Sequence, residues 1–164
     1  MLLITVFSAG CAEMNLFVKD EMRGSGPSKI LIGEFITRDM SYDPFLADGL
    51  TDSVRFEFFS RGYNVQVWKR SPEDKKMYDT PSDTAALCAG ASADVLITGV
   101  ISRKESGSFA DRRVYYSVTF IIRNKSGNIT GEGNYRDTNI DEPVFVKEAA
   151  GEFVKEFINR TIDE

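Results

Sequence analysis

Two cysteines, Cys11 and Cys88, and no histidine bound the chemistry this 164-residue chain can carry. Without imidazole it lacks the commonest general base and the commonest transition-metal ligand. Two thiols can build neither a zinc cluster nor a disulfide framework, so no metal and no cofactor is expected. Carboxylates, Lys, Ser and Tyr remain. Asp39, Asp43 and Asp48 gather around one strand–helix junction, where they could hold a cation or act as paired carboxylates. Asp is equally at home in loops and first helical turns, where it caps and complements the dipole, and that reading is preferred. Cys88 stands among Ala86, Leu87 and Ala89 and reads as a thiol on a packed helix face. Gly99, Gly131 and Gly133 fall in strand patterns, with no Gly-rich, Lys-bearing turn between strand and helix that could cradle phosphate. No catalytic residue is expected; a small hydrolase using carboxylates or Ser is the alternative.

Cys11 differs from Cys88. The apolar run Met1-Leu2-Leu3-Ile4-Thr5-Val6-Phe7 ends in Ser8-Ala9-Gly10-Cys11. Small residues just before a cysteine suit the pocket of a lipoprotein signal peptidase. The run is far short of the roughly 20 apolar residues a transmembrane helix needs, and close to a signal-peptide core in length. The segment resembles a bacterial lipobox, which makes Cys11 the acylated first residue of the mature protein. Ser8 occupies the position where Leu is usual, and no basic residue precedes the run. The other reading is a buried first strand with an ordinary thiol. A lipobox cysteine carries at least two acyl chains, enough for stable anchoring. Ala12, and not Asp, follows the cysteine, which in Gram-negative sorting favours the outer membrane. Residues 1–10 are thus expected to be a signal peptide, 11–28 an acylated cysteine and flexible tether, and 29–164 a globular domain. Met22-Arg23-Gly24-Ser25-Gly26-Pro27-Ser28 has linker composition. Asn15-Leu16-Phe17-Val18 could be a short strand or a contact segment.

The elements that must position any surface follow from periodicity. A mostly apolar run over 29–36 predicts a buried strand. A helix starts near Pro44, with Leu46, Leu50, Val54 and Phe58 as its buried stripe and Gly62 just past its end. Residues 63–68 alternate as a second strand. Thr80-Pro81-Ser82-Asp83 predicts a helix start capped by Thr80. Residues 93–101 form a third, central strand. After a loop at 106–111, Val114, Tyr116, Val118, Phe120 and Ile122 share one face of a fourth. Asn124-Lys125-Ser126-Gly127-Asn128 supplies a turn into a fifth strand over 129–136. A final helix from about Pro143 buries Val146, Ala150, Phe153 and Phe157. The order β-α-β-α-β-β-β-α predicts an α/β (α+β) domain with one mixed sheet of about five strands and three helices.

The apolar share of 42% and charged share of 27% are those of a globular domain. The net charge of −5 is spread along the chain with no Lys/Arg stripe, so nucleic acid is not an expected partner. Nor does this charge attract anionic lipid, so membrane attachment would have to come from acyl chains.

Three stretches carry a family resemblance. These are Phe45-Leu46-Ala47-Asp48-Gly49-Leu50-Thr51-Asp52 with its helix closing on Arg61-Gly62-Tyr63-Asn64-Val65, the run Ala89-Gly90-Ala91-Ser92-Ala93-Asp94-Val95-Leu96-Ile97-Thr98-Gly99-Val100-Ile101, and Lys125-Ser126-Gly127-Asn128-Ile129 at a hairpin turn. Over residues 29–162 the chain resembles the bacterial envelope lipoprotein superfamily that includes the curli secretion-channel lipoprotein and the activator lipoprotein of a penicillin-binding protein, with the N-terminal domain of the Tol–Pal translocation protein B as a looser relative by fold. The resemblance implies a non-catalytic binding or assembly factor, facing the periplasm, whose partner is an envelope protein or peptidoglycan. The segments that form transmembrane hairpins in the channel-forming member have no equivalent here, which disfavours a pore. A surface-exposed, host-interacting lipoprotein is a further alternative. Exposed aromatics beside Arg mark binding patches, so Trp68, Tyr78, Phe109, Arg112, Arg113 and Tyr115 are the candidate partner-binding residues. Oligomeric state is not readable from the sequence.

Overall fold

Alternation over 114–122 puts Tyr116, Val118, Phe120 and Ile122 on one face of a strand that lies inside the sheet, hydrogen-bonded on both sides. The structure, a computed structural model, describes residues 12–24, 26–38, 44–69, 80–108, 113–138 and 140–162. Its strands are β1 (Glu13–Val18), β2 (Lys29–Arg38), β3 (Asn64–Val67), β4 (Val95–Ser106), β5 (Arg113–Asn124) and β6 (Ile129–Thr138). Its helices are α1 (Pro44–Ser60), α2 (Pro81–Ala91) and α3 (Glu142–Thr161), with one 3-10 turn at Asp20–Met22. The sheet order is β1-β6-β5-β4-β2-β3. β2 pairs in parallel with β3 and β4, while β4, β5, β6 and β1 are joined antiparallel. The fold class is the expected mixed α/β one, with three helices and one sheet.

Six strands stand where about five were expected, and the extra one is β1. The segment read as a flexible tether is therefore a sheet strand over Glu13–Val18, in register with β6 from Glu13 opposite Arg136 to Val18 opposite Gly131. The reason is local packing. Leu16 and Val18 turn into the core and find room over Gly133 and Gly131, whose missing side chains leave space on that face of β6. Met22 and Pro27 are buried as well, so linker-like composition does not keep this stretch off the domain.

The main core lies between one sheet face and the pair α1 and α3. Leu46, Leu50, Val54 and Phe58 of α1 meet Val146, Ala150, Phe153 and Phe157 of α3, all nearly or fully buried. The rings of Phe120 and Phe153 stack at 4.0 Å, and Phe35 and Phe58 close on this pair edge-on. Such ring pairs add about 0.5–1.5 kcal/mol each beyond area burial. Gly99 makes the arrangement possible: a Cβ there would lie 2.5 Å from the Phe35 ring and 2.6 Å from the carbonyl of Thr119. α2 covers the other face at one end only, where Cys88, Leu31, Ala93 and Leu96 form a second, small core. Its start follows the expected cap, with the Asp83 N–H donating to Thr80 Oγ1 at 3.2 Å.

Candidate interaction face

Cys11, Tyr78, Phe109 and Arg112 lie outside the described residues, as do Asp39 and Asp43. The remaining predicted positions do not converge. Trp68 is half-buried and packs on the small core beneath α2. Its backbone N–H donates to the Ile32 carbonyl at 2.8 Å, tying the β3 edge to β2. Arg113 is exposed at the start of β5, opposite Ser106. Tyr115 is 36% exposed on the sheet face away from α1 and α3, flanked by Lys104 and Thr138. Trp68 and Tyr115 are separated by the width of β2 and β4.

The acidic residues are ordinary surface groups where they are described. Asp48 is exposed on α1 and pairs with Lys69 at 3.8 Å. Among the described residues no three His, Cys, Asp or Glu side chains converge as a metal site would require. Cys88 is fully buried, and burial first, then the nearby Asp94 charge, push its thiol pKa up. That is the opposite of what a reactive thiolate needs.

A groove of about 610 Å³ is lined by Met14, Glu57, Arg61, Tyr135, Glu148 and Lys155 among others. At its floor the Tyr135 hydroxyl lies 3.3 Å from Glu148 Oε2 and 3.5 Å from Asp137 Oδ2. Burial, and then these two carboxylates, raise the phenol pKa. Tyr135 is thus held as a neutral donor, unsuited to act as base or nucleophile. Acidic and basic side chains alternate around the rim, so the groove offers no single-sign field for a charged ligand.

The feature with the chemistry of a contact surface is on α1. Its buried positions, Leu46, Ala47, Leu50, Val54 and Phe58, face the core. At 100° per residue, Phe45, Asp52, Phe56 and Phe59 fall within an arc of about 60° on the opposite side. Phe45 is 86% exposed, Phe56 64% and Phe59 70%. Phe56 and Phe59, three residues apart, are helix-surface neighbours. Together they present roughly 250–300 Å² of ring surface to water. Beside them Asp52, Ser53, Arg55, Phe56, Glu57 and Lys147 line a shallow cleft of about 400 Å³. The Arg55–Asp52 pair, at 4.0 Å and more than half exposed, contributes little to stability and is free to re-pair. An aromatic-plus-Arg pattern of the kind expected at Trp68, Tyr78, Phe109, Arg112, Arg113 and Tyr115 also occurs on α1. Its signal was legible: three Phe residues stand off the Leu46–Leu50–Val54–Phe58 stripe, where a solvent face would carry polar residues.

Comparison with protein-family models and with curated proteins gives no match. Solved structures do match. The PelC dodecamer from Paraburkholderia phytofirmans superposes with a TM-score of 0.65 over 94% of this chain and 100% of that one, at 9% identity. The hypothetical protein CT253 from Chlamydia trachomatis gives 0.55 over 85% and 98%, at 10% identity. Lipoprotein GNA1162 from Neisseria meningitidis gives 0.53 over 81% and 99%, at 13% identity. The chain shares its backbone fold with these three structures. At these identities the likeness is one of backbone architecture, in keeping with the resemblance read from residues 29–162.

Proposed function

We propose that this chain is a membrane-anchored envelope lipoprotein that acts as a non-catalytic binding or assembly factor, docking a protein partner on the outer face of α1. Acyl chains at Cys11 attach it to the outer membrane, facing the periplasm. The carrying observation is the exposed Phe56–Phe59 pair with Arg55 and Lys147 beside it. Large aromatic rings on the solvent side of a helix lower solubility without helping the fold, and clustered with Arg they are typical anchors of protein interfaces. The lipobox-like start and the envelope-lipoprotein-like fold support the compartment. The neutral Tyr135 and the high-pKa Cys88 support a binding role over a chemical one.

Crosslinking pull-down from envelope membranes, with Phe56→Ser/Phe59→Ser beside the native chain, tests the reading. The native protein should capture a partner and the double variant should lose it while folding normally. Equal capture by both would remove α1 from the account. Globomycin should leave an unprocessed precursor; unchanged mobility together with no palmitate-analogue labelling would remove the anchor. Protease resistance on intact cells separates the periplasmic face from the cell surface.

Self-assembly is a second reading, supported by the dodecameric state of PelC and by β1 and β3, which are the edges of the sheet among the described residues. Native mass spectrometry of the lipidated protein distinguishes it, since a ring gives one closed stoichiometry and a hetero-complex gives a monomeric subunit.

A further inference from the structure

Of the two strands that border the sheet, β1 is the less protected. β3 has four residues, and a short edge strand offers little to a foreign one. β1 has six residues in unbroken register with β6, and it carries no proline, no lysine and no bulge.

One contact fixes which of its backbone groups face outward. The Lys19 N–H donates to the Thr130 carbonyl at 2.8 Å, continuing the register one step past Val18 and Gly131. Hydrogen-bonded and non-bonded residues alternate along an antiparallel pair. Glu13, Asn15 and Phe17 therefore turn their N–H and C=O groups to β6, and Met14, Leu16 and Val18 turn theirs away from it. Among the described residues no backbone group bonds to these three on that side. A groove of about 500 Å³, lined by Met14, Asn15, Leu16, Phe17 and Arg160 among others, lies beside them. The edge has room for another strand.

We propose that β1 pairs antiparallel with β1 of a second copy of this chain, about a two-fold axis at Leu16. The proposal deepens the self-assembly reading by naming its contact. It leaves α1 free, because α1 packs on β2 and β3 at the far side of the sheet. Centring on Leu16 sets Met14 against Val18 of the second copy, Leu16 against Leu16, and Val18 against Met14. All three outward residues of the strand then bond among themselves, each pair exchanging two hydrogen bonds. On the opposite face this register sets Glu13 against Lys19 of the second copy, twice by symmetry. It also sets Phe17, 65% exposed, against Asn15. Neither Glu13 nor Lys19 is in an ion pair among the described residues, and opposite charges in facing positions attract. Sliding the pairing by one bonded step would put Glu13 against Phe17 and lose both charge contacts. Charge thus selects the register that the backbone parity allows. The contact is isologous, so it closes at two chains and uses up the edge.

The test uses the full chain in envelope membranes, with Glu13→Cys and Lys19→Cys, both at exposed positions, carried on copies bearing different tags. Facing residues of a non-hydrogen-bonded pair have Cα atoms about 4.5 Å apart, within disulfide reach. Two copies of residue 13, or of residue 19, lie six residues apart along the ladder, about 20 Å. Under mild oxidation the mixed 13–19 disulfide should exceed either homodisulfide several-fold, above the background of the parent chain. Glu13→Lys should lower the dimer fraction in native mass spectrometry several-fold, and Glu13→Lys with Lys19→Glu should restore it. Homodisulfides as abundant as the mixed product, or a charge swap that restores nothing, overturn the pairing. An oligomer without the mixed disulfide overturns this contact and leaves self-assembly standing. A monomer at every concentration overturns both. A thiol at residue 13 that captures only another protein gives the edge to a foreign strand and also overturns the proposal.

Discussion

Whether Glu13–Val18 is a strand or a leash is put to measurement by Leu16→Ala with Val18→Ala. Leu16 is 7% exposed and Val18 2%, both on the core face over the glycines of β6. Truncating a buried Leu costs about 2–5 kcal/mol, the lower part applying where neighbours or water can close on the gap. An edge strand allows that relaxation, so about 2–3 kcal/mol is expected for Leu16→Ala. Val18 loses one carbon fewer than Leu16 and should cost about 1–2 kcal/mol, and as near neighbours the two need not add fully. With a urea m-value of about 2 kcal/mol/M, Leu16→Ala lowers the midpoint by roughly 1–1.5 M. The melting temperature falls by about 5–10 °C, at some 2–4 °C per kcal/mol for this chain length. Urea melts followed by far-UV dichroism and Trp68 fluorescence read the change, and native-state hydrogen exchange reads the strand itself. Alternate amides of Glu13–Val18 should be protected. A double-variant loss below about 0.5 kcal/mol, the range of ordinary surface substitutions, with those amides exchanging at free-peptide rates, would refute the packing argument.

Three other outcomes follow from named contacts. Asp94 accepts hydrogen bonds from the Ser28 hydroxyl at 2.8 Å, the Ser28 N–H at 2.8 Å and the Lys29 N–H at 3.0 Å, and the Ser28 hydroxyl leads in holding its carboxyl below the usual range. A lowered folded-state pKa stabilises the fold above the ordinary carboxylate pKa and is lost as pH falls through the lowered value. Asp94→Asn should therefore cost about 1–2 kcal/mol at neutral pH and nothing at strongly acid pH, as read from urea melts across that range. Cys88 should stay unmodified by thiol reagents in buffer and react fully in denaturant, because it is wholly buried with a raised pKa; fast native labelling would place the α2 core wrongly. Gly127 has φ +83°, and a Cβ there would lie 2.6 Å from backbone atoms of Pro81. Gly127→Ala should cost at least about 1–2 kcal/mol for the left-handed backbone alone. It should also loosen the start of α2, seen as faster exchange in Thr84–Cys88 than in the rest of the chain.

The sequence alone determined the elements whose periodicity is long. The Leu46–Phe58 and Val146–Phe157 stripes fix which faces of α1 and α3 are buried, because a helix can hide four or five apolar side chains only by turning that stripe inward. Alternation over 114–122 likewise fixes the inner face of β5, and the Thr80-Pro81 cap fixes where α2 begins. The absence of histidine and the paucity of thiols restricted the chemistry before any fold was drawn.

Only the tertiary structure decided what depends on partners distant in the chain. β1 carries too few alternating residues to declare itself, and it becomes a strand because β6 offers an open edge with Gly131 and Gly133 to lie over. Trp68 read as a surface aromatic, yet α2 folds across the sheet and half-covers it. Burial is a property of the assembled layers, and a residue's type states its preference without stating which neighbour will satisfy it.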